Sequence, residues 1–236
     1  MSTDLNTTKI DYAVSIARGV VGAVPAVGAI FSEIISEIVP NQRIDRIVAV
    51  LIELDKRLTE AEKRHFASNE YALNLFEDGM LQAARSLSER RNRYIAVFLK
   101  KCGEVNAAEY NVKKKLFYIL EELTDLDIEI LLSMEHGNSR NHEHDLRPDF
   151  VSDAQYRRFS DEEKFKYDSR EETWGLHLSL LKRHGLIEPE YDKYDQADPT
   201  RHLDEKTGLP NILRYRVTGL GKVFIRSIGE DEWKMR

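Results

Sequence analysis

The chain has little cysteine and no excess of positive charge. Cys102 is the one cysteine among 236 residues, which excludes an internal disulfide and a zinc site built on several cysteines. A reducing, cytoplasmic setting is therefore expected. The formal net charge is −6, with residues 1–103 nearly neutral and the acidic excess in residues 104–236. No overall basic field would draw the protein to nucleic acid or to an anionic lipid surface.

Familiar catalytic motifs are also missing. The sequence contains no G-x-S-x-G, no P-loop, no H-E-x-x-H and no G-x-G-x-x-G. These patterns would indicate a nucleophile elbow, a phosphate cradle, a zinc-binding helix or a dinucleotide site. Carboxylates are abundant, but abundance without a pocket identifies no acid–base pair. We therefore expect no enzymatic activity, no catalytic residues and no cofactor.

The chain also lacks an uninterrupted apolar run long enough to span a bilayer, which takes about 20 residues. Its least polar stretch, residues 19–40, reads GVVGAVPAVGAIFSEIISEIVP and is interrupted by Glu33 and Glu37. With Ser32 and Ser36 these glutamates form one narrow polar stripe, so a helix here would be buried over most of its circumference. The apolar residues on the remaining face are Val27, Ile30, Phe31, Ile34, Ile35 and Ile38.

Two interpretations of this stretch stay open. The first makes it the core or the assembly face of a helical bundle. The second makes it a membrane-active helical hairpin, held in the soluble fold until it is triggered. Gly22 and Gly28 would allow the close backbone approach that such a hairpin requires.

Helical patterns continue after Pro40. Four segments, residues 41–58, 71–80, 86–103 and 107–123, show an apolar period near 3.6, and no strand pattern precedes residue 135. We predict that residues 1–114 form a helical bundle. Ser86 and Glu89 would form a capping box at the start of the third segment, which would end at Gly103. The inward residues of the fourth segment would be Val112, Leu116, Ile119, Leu120 and Leu123.

The order of several phrases resembles a known family. These phrases are GAVPAVGAIFSEII, PNQRIDRIVAVLIELDKRL, AARSLSERRNRYIAVFLKKCG and KKKLFYILEELTDLDIEILLSM. Over residues 15–135 they resemble the abortive-infection alpha (Abi-alpha) type, a group of largely uncharacterised bacterial helical proteins associated with phage defence. The resemblance implies a bacterial origin and a defence role. It implies no site residues.

A histidine-rich stretch near residues 136–150 has no apolar period and reads as a mobile loop insertion. His136, His142 and His144 are weak candidates for metal ligands, since imidazole binds transition metals. Their spacing, H-x5-H-x-H, fits no regular element. A solvated loop is therefore the preferred interpretation, and no metal site is predicted.

The last part of the chain combines helices with strands. A helix over residues 171–184 would carry Trp174, Leu178 and Leu181 on one side, with Gly185 just beyond its end. Residues 186–191 and 212–218 read as strands, and Thr218 would cap a helix over 219–228. Upstream, Thr124 and Asp127 occupy capping-box positions. This order resembles a winged helix, so the predicted fold is mainly α, with the bundle followed by a winged-helix-like α+β module at residues 115–236.

Three functions follow from this organisation. The leading one is a non-enzymatic bacterial interaction protein, related to phage defence, that acts by self-association and contacts with a protein partner. The second is a winged-helix DNA-binding regulator, although residues 171–228 carry as many acidic as basic residues. The third is a membrane-perturbing effector that releases its N-terminal helices on triggering. Residues that would contact nucleic acid or phosphate are Lys182, Arg183, Arg214 and Arg216.

Overall fold

The computed structural model describes residues 44–136, 151–191, 203 and 208–229. Within these residues the protein is mainly helical, with one small two-stranded antiparallel sheet. The helices are α1 (Ile44–Asp55), α2 (Glu60–Ser68), α3 (Glu70–Arg85), α4 (Glu89–Lys100), α5 (Ala107–Glu122), α6 (Asp125–His136), α7 (Asp153–Tyr156), α8 (Asp161–Arg183) and α9 (Gly219–Ile228). The strands are β1 (Ile187–Tyr191) and β2 (Ile212–Val217).

The described residues form two compact units. The helical unit comprises residues 44–122 with 226–229, and the ribbon unit comprises the described residues between 123 and 225. The predicted boundary between residues 114 and 115 lies inside α5.

The helical unit is an all-α bundle in which α3 is central. It packs against α1, α2, α4 and α5, and α1 also lies along α4. The 3.6-residue apolar period places one face of each helix in the shared core. Among the side chains with almost no exposure are Ile47, Leu51, Leu54, Phe66, Leu75, Met80, Phe98 and Phe117. Phe98 and Phe117 stack with their ring centroids 4.6 Å apart. Residues 44–136 contain no strand, as predicted.

Two details of the predicted helices are wrong. The capping box at Ser86 does not form, because Ser86 closes α3 through its N–H to Ala83 and Gln82. Ser88 caps α4 instead, accepting hydrogen bonds from the backbone N–H groups of Arg90 and Arg91. The helix also ends at Lys100 rather than at Gly103.

The inward face of α5 also differs from the prediction at one position. Val112 is 51% exposed, because the first turns of α5 contact α3 through Tyr110 and Lys114, both of which donate hydrogen bonds to Oδ1 of Asn74. Phe117, which the prediction did not include, is buried and stacks on Phe98. Leu120 and Leu123 are buried as predicted.

The single thiol lies in the core of the helical unit and should be chemically inert. Cys102 has no exposed surface, and burial raises the pKa of its thiol to about 12. At pH 8 only about one molecule in ten thousand would carry the reactive thiolate. We expect native protein to resist alkylation by iodoacetamide, whereas denatured protein reacts fully, as measured by mass spectrometry. Rapid labelling of the native protein would contradict this burial.

The ribbon unit is built on α6, α8 and the β1–β2 ribbon. α8 contacts α6 and continues through Gly185, which has a φ of +67°, into β1. That left-handed conformation ends the helix, as predicted for this glycine. The two strands pair antiparallel, with Ile187 opposite Val217 and Tyr191 opposite Ile212. Both predicted strands are confirmed.

Helix α9 begins directly after β2. The Thr218 hydroxyl accepts a hydrogen bond from the Gly221 N–H at 3.0 Å, which confirms Thr218 as the cap. The same hydroxyl donates to the Gly185 carbonyl at 2.6 Å, and the Thr218 N–H donates to the Leu186 carbonyl at 2.9 Å. One residue therefore joins the start of α9 to the turn between α8 and β1.

Candidate functional site

A fully buried carboxyl group lies at the start of α6. Asp127 has no exposed surface, and its Oδ1 lies 2.7 Å from Nδ1 of His177 on α8. The two residues are 50 positions apart in the chain. This hydrogen bond fixes the orientation of the imidazole ring and leaves Nε2 as the ring nitrogen available to a ligand.

The second oxygen of Asp127 is held by a capping box. Oδ2 accepts hydrogen bonds from the Thr124 N–H and the Thr124 hydroxyl, each at 2.6 Å. The Asp127 N–H donates back to the Thr124 hydroxyl at 3.2 Å. The predicted capping box is confirmed, and it explains how a carboxyl group with no exposed surface keeps both oxygens satisfied.

His177 lines a cavity of about 240 Å³ between α6 and α8. The side chain of His177 is 15% exposed, and its Nε2 has no hydrogen-bond partner among the described residues. The other lining residues are Leu126, Ile130, Ser169, Arg170, Thr173 and Trp174. The cavity therefore combines an apolar wall with a small number of polar groups, the usual composition of a ligand site.

Arg170 brings a permanent positive charge to this cavity. Its guanidinium forms no ion pair or hydrogen bond within the described part of the chain. The Thr173 hydroxyl donates to the Ser169 carbonyl at 2.7 Å, so its donor is already used. Arg170 thus provides free N–H donors to the site, and His177 presents the unpaired ring nitrogen Nε2.

The predicted phosphate contacts are spread over the ribbon unit. Arg214 forms an ion pair with Glu190 at 2.6 Å, and Arg216 forms one with Glu188 at 2.9 Å, both across the ribbon. Lys182 and Arg183 lie in the last turn of α8. The charges of the two ribbon arginines are therefore offset by carboxylates on the neighbouring strand.

The far end of the ribbon is apolar and exposed. Tyr191 and Ile212 are cross-strand partners, and they are 48% and 45% exposed. Leu213 is the extra residue of a β-bulge in β2, because Arg214 pairs with Glu190 and Ile212 pairs with Tyr191, and it is 63% exposed. Leu209, just before β2, is 65% exposed. We call these four residues the ribbon-end patch.

The remaining candidate residues fall largely outside the described part of the chain. This holds for the predicted assembly or membrane face between Val27 and Ile38, and for His142 and His144. His136 is the last residue of α6. The described residues contain no group of three or more His, Cys, Asp or Glu side chains that could hold a metal ion. None of their helices is long and apolar enough to cross a membrane.

Sequence reasoning found Asp127 only as a helix cap and did not find His177 or Arg170. A signal for His177 was present. It lies three residues after Trp174 and four before Leu181, so it shares the apolar face of α8. A histidine on an inward face needs a polar partner, but only the fold could identify that partner as Asp127.

Comparison with known proteins gives no match: no protein-family model matches the chain, and no curated protein and no solved structure is significantly similar to it. The resemblance to the Abi-alpha type therefore stays a prediction.

Proposed function

We propose that the protein is a non-enzymatic interaction protein that self-associates through the ribbon-end patch. The observation that carries this proposal is the exposure of three large apolar side chains at the end of a two-stranded ribbon, namely Ile212, Leu213 and Leu209. A small ribbon with an apolar end gains stability when another chain covers it, since burial of apolar surface is favourable.

A second copy of the chain is the partner that this surface fits best. The ribbon carries carboxylates on β1 and guanidinium groups on β2, all of them partly exposed. If two ribbons packed face to face about a two-fold axis, with β1 of one copy over β2 of the other, the β1 carboxylates of one copy would lie near the β2 arginines of the other. Self-complementary surfaces of this kind are typical of homodimers. Within this proposal the C-terminal part is a winged-helix-like contact module, and phage defence is its setting.

The test compares two leucines of similar exposure in the ribbon unit. Leu213→Glu places a charge in the ribbon-end patch, whereas Leu176→Glu places one on α8, where Leu176 is 68% exposed. We expect sedimentation velocity of the wild type to show concentration-dependent association. Leu213→Glu should shift the protein to monomer, and Leu176→Glu should not. A wild type that stays monomeric at all concentrations, or equal behaviour of the two variants, would contradict the proposal.

The DNA-binding alternative rests on the order of α6, α8, β1, β2 and α9, which resembles that of a winged helix. Its weakness is the pairing of Arg214 and Arg216 with carboxylates, which reduces the charge available to phosphates. Adding a DNA duplex to the same sedimentation samples separates the two functions. Salt-sensitive co-sedimentation that is lost when Lys182, Arg183, Arg214 and Arg216 are replaced would favour the regulator.

A further inference from the structure

We propose that the cavity between α6 and α8 binds a small molecule that carries a carboxylate on an apolar, planar or branched body. We name this cavity the His177 pocket. The proposal concerns a different surface from the ribbon-end patch and does not depend on self-association.

The polar side of the pocket is suited to an anion. Arg170 offers a guanidinium, whose paired N–H donors match the two oxygens of a carboxylate. His177 offers Nε2, which becomes a donor when the ring is protonated. Neither group is used by the described residues, and no acidic side chain lines the pocket. A cation would meet the like charge of the exposed Arg170 side chain and no carboxylate in the lining of the pocket.

The apolar side of the pocket is suited to the rest of such a ligand. Leu126 and Ile130 lie one turn apart on α6, and Trp174 faces them from α8 with only 9% of its surface exposed. The volume of about 240 Å³ is below the roughly 300–1,000 Å³ of pockets for drug-sized ligands. A compact body such as one aromatic ring or a branched alkyl chain would fill it.

The hydrogen bonds that hold His177, from Asp127 and through it from Thr124, favour a binding role for His177 over a purely structural one. A structural hydrogen bond between α6 and α8 requires only Nδ1 of His177 and Oδ1 of Asp127. Here the carboxyl group is wholly buried and held by Thr124, while the other edge of the ring is presented to the pocket beside Arg170. This is the arrangement by which a buried residue pre-orients a binding group and lowers the entropic cost of ligand binding.

Benzoate is a suitable probe, with benzamide as its neutral counterpart of the same shape. The protein has two tryptophans, Trp174 and Trp233, so a Trp233→Phe background makes the emission of Trp174 a local reporter. We expect benzoate to change this emission saturably at millimolar concentration. Benzamide should bind about tenfold more weakly or not at all, because it lacks the charge that strengthens the hydrogen bonds.

Three variants locate the binding groups. Arg170→Gln removes the guanidinium, and we expect it to weaken benzoate binding by about tenfold. His177→Asn keeps a donor for Asp127 but removes the nitrogen presented to the pocket, and it should weaken binding similarly. Lys182→Gln removes a positive charge from the same helix away from the pocket and should leave the affinity unchanged. Circular dichroism and thermal unfolding verify that each variant is folded.

Several outcomes would overturn the proposal. These are an absence of saturable benzoate binding, equal affinity for benzamide, and affinity unchanged in both Arg170→Gln and His177→Asn. Equal losses in Lys182→Gln and Arg170→Gln would likewise reject it, because they would indicate general charge attraction. The association variant Leu213→Glu should bind benzoate like the wild type, so failure of either proposal can be distinguished from failure of the other.

Discussion

Replacement of Gly221 by alanine should destabilise the ribbon unit by about 3 kcal/mol, the upper range of overpacking costs. This expectation runs against helix propensity, because alanine is the better helix former by about 1 kcal/mol. At Gly221 the gain in helix propensity and the steric cost of the added methyl group have opposite signs. We expect the steric cost to be the larger of the two.

The reason lies in the backbone against which Gly221 packs. A Cβ atom at Gly221 would overlap the carbonyl oxygen of Leu186 and lie 2.6 Å from Cγ1 of Val217. A side-chain end could rotate away, but the Leu186 carbonyl cannot, since it accepts the hydrogen bond from the Thr218 N–H. Room for the methyl group requires α9 to move away from the turn between α8 and β1, which breaks the contacts that Thr218 makes.

Gly219 provides a matched control in the same helix. A Cβ atom there would meet nothing within 4 Å, so Gly219→Ala should be neutral or stabilising by up to about 1 kcal/mol. Urea unfolding followed by Trp174 fluorescence in the Trp233→Phe background measures both changes. If Gly221→Ala stays within about 0.5 kcal/mol of the wild type, α9 does not pack this closely on the turn.

Capping-box spacings in the sequence predict some helix starts correctly and others wrongly. Thr124 and Asp127 form the predicted capping box, whereas Ser86 and Glu89 do not, although both pairs show the same spacing. The difference is the preceding structure, since Ser86 is engaged in closing α3. A spacing pattern cannot tell whether its first residue still belongs to the helix before.

Two further capping boxes follow the same pattern and were overlooked. Thr59 pairs with Glu62 at α2, and Ser160 pairs with Glu163 at α8. In both, a hydrogen bond from the cap backbone lowers the pKa of the glutamate. The box at Ser160 marks the start of α8 at Asp161, ten residues before the predicted start at residue 171. The prediction was late because the dense charge of residues 161–170 obscures the apolar period of the helix.

The candidate site was beyond sequence reasoning for a different reason. The contact between Asp127 and His177 joins residues 50 positions apart; the capping box identifies Asp127 only as a helix cap, and His177 belongs to no motif. The sequence shows which helix face is apolar, but the pairing of α6 with α8 comes from tertiary packing. Likewise, the strands were predicted from alternation, whereas the exposure of the ribbon-end patch depends on what the fold leaves uncovered.

Replacement of Asp127 by alanine is the second change with a large expected effect. It removes the acceptor for the Thr124 N–H and hydroxyl, and it leaves His177 without its partner. Loss of a cap costs about 1 kcal/mol, and a mostly buried polar group left unpaired costs about 1–3 kcal/mol. We expect the free energy of unfolding to fall by about 3 kcal/mol.

A double-mutant cycle with His177→Ala separates the hydrogen bond from the cap. The single change at His177 leaves Oδ1 of Asp127 buried without a partner, so it should also be costly. The double variant loses both partners together and leaves neither unpaired. We therefore expect it to be more stable than the sum of the single changes implies, with a coupling energy of about 1–3 kcal/mol. Urea unfolding of the parent protein, the two single variants and the double variant, followed by Trp174 fluorescence in the Trp233→Phe background, measures this coupling energy. Additive losses would mean that Asp127 acts only as the cap of α6, and the pre-orientation of His177 would then lose its structural basis.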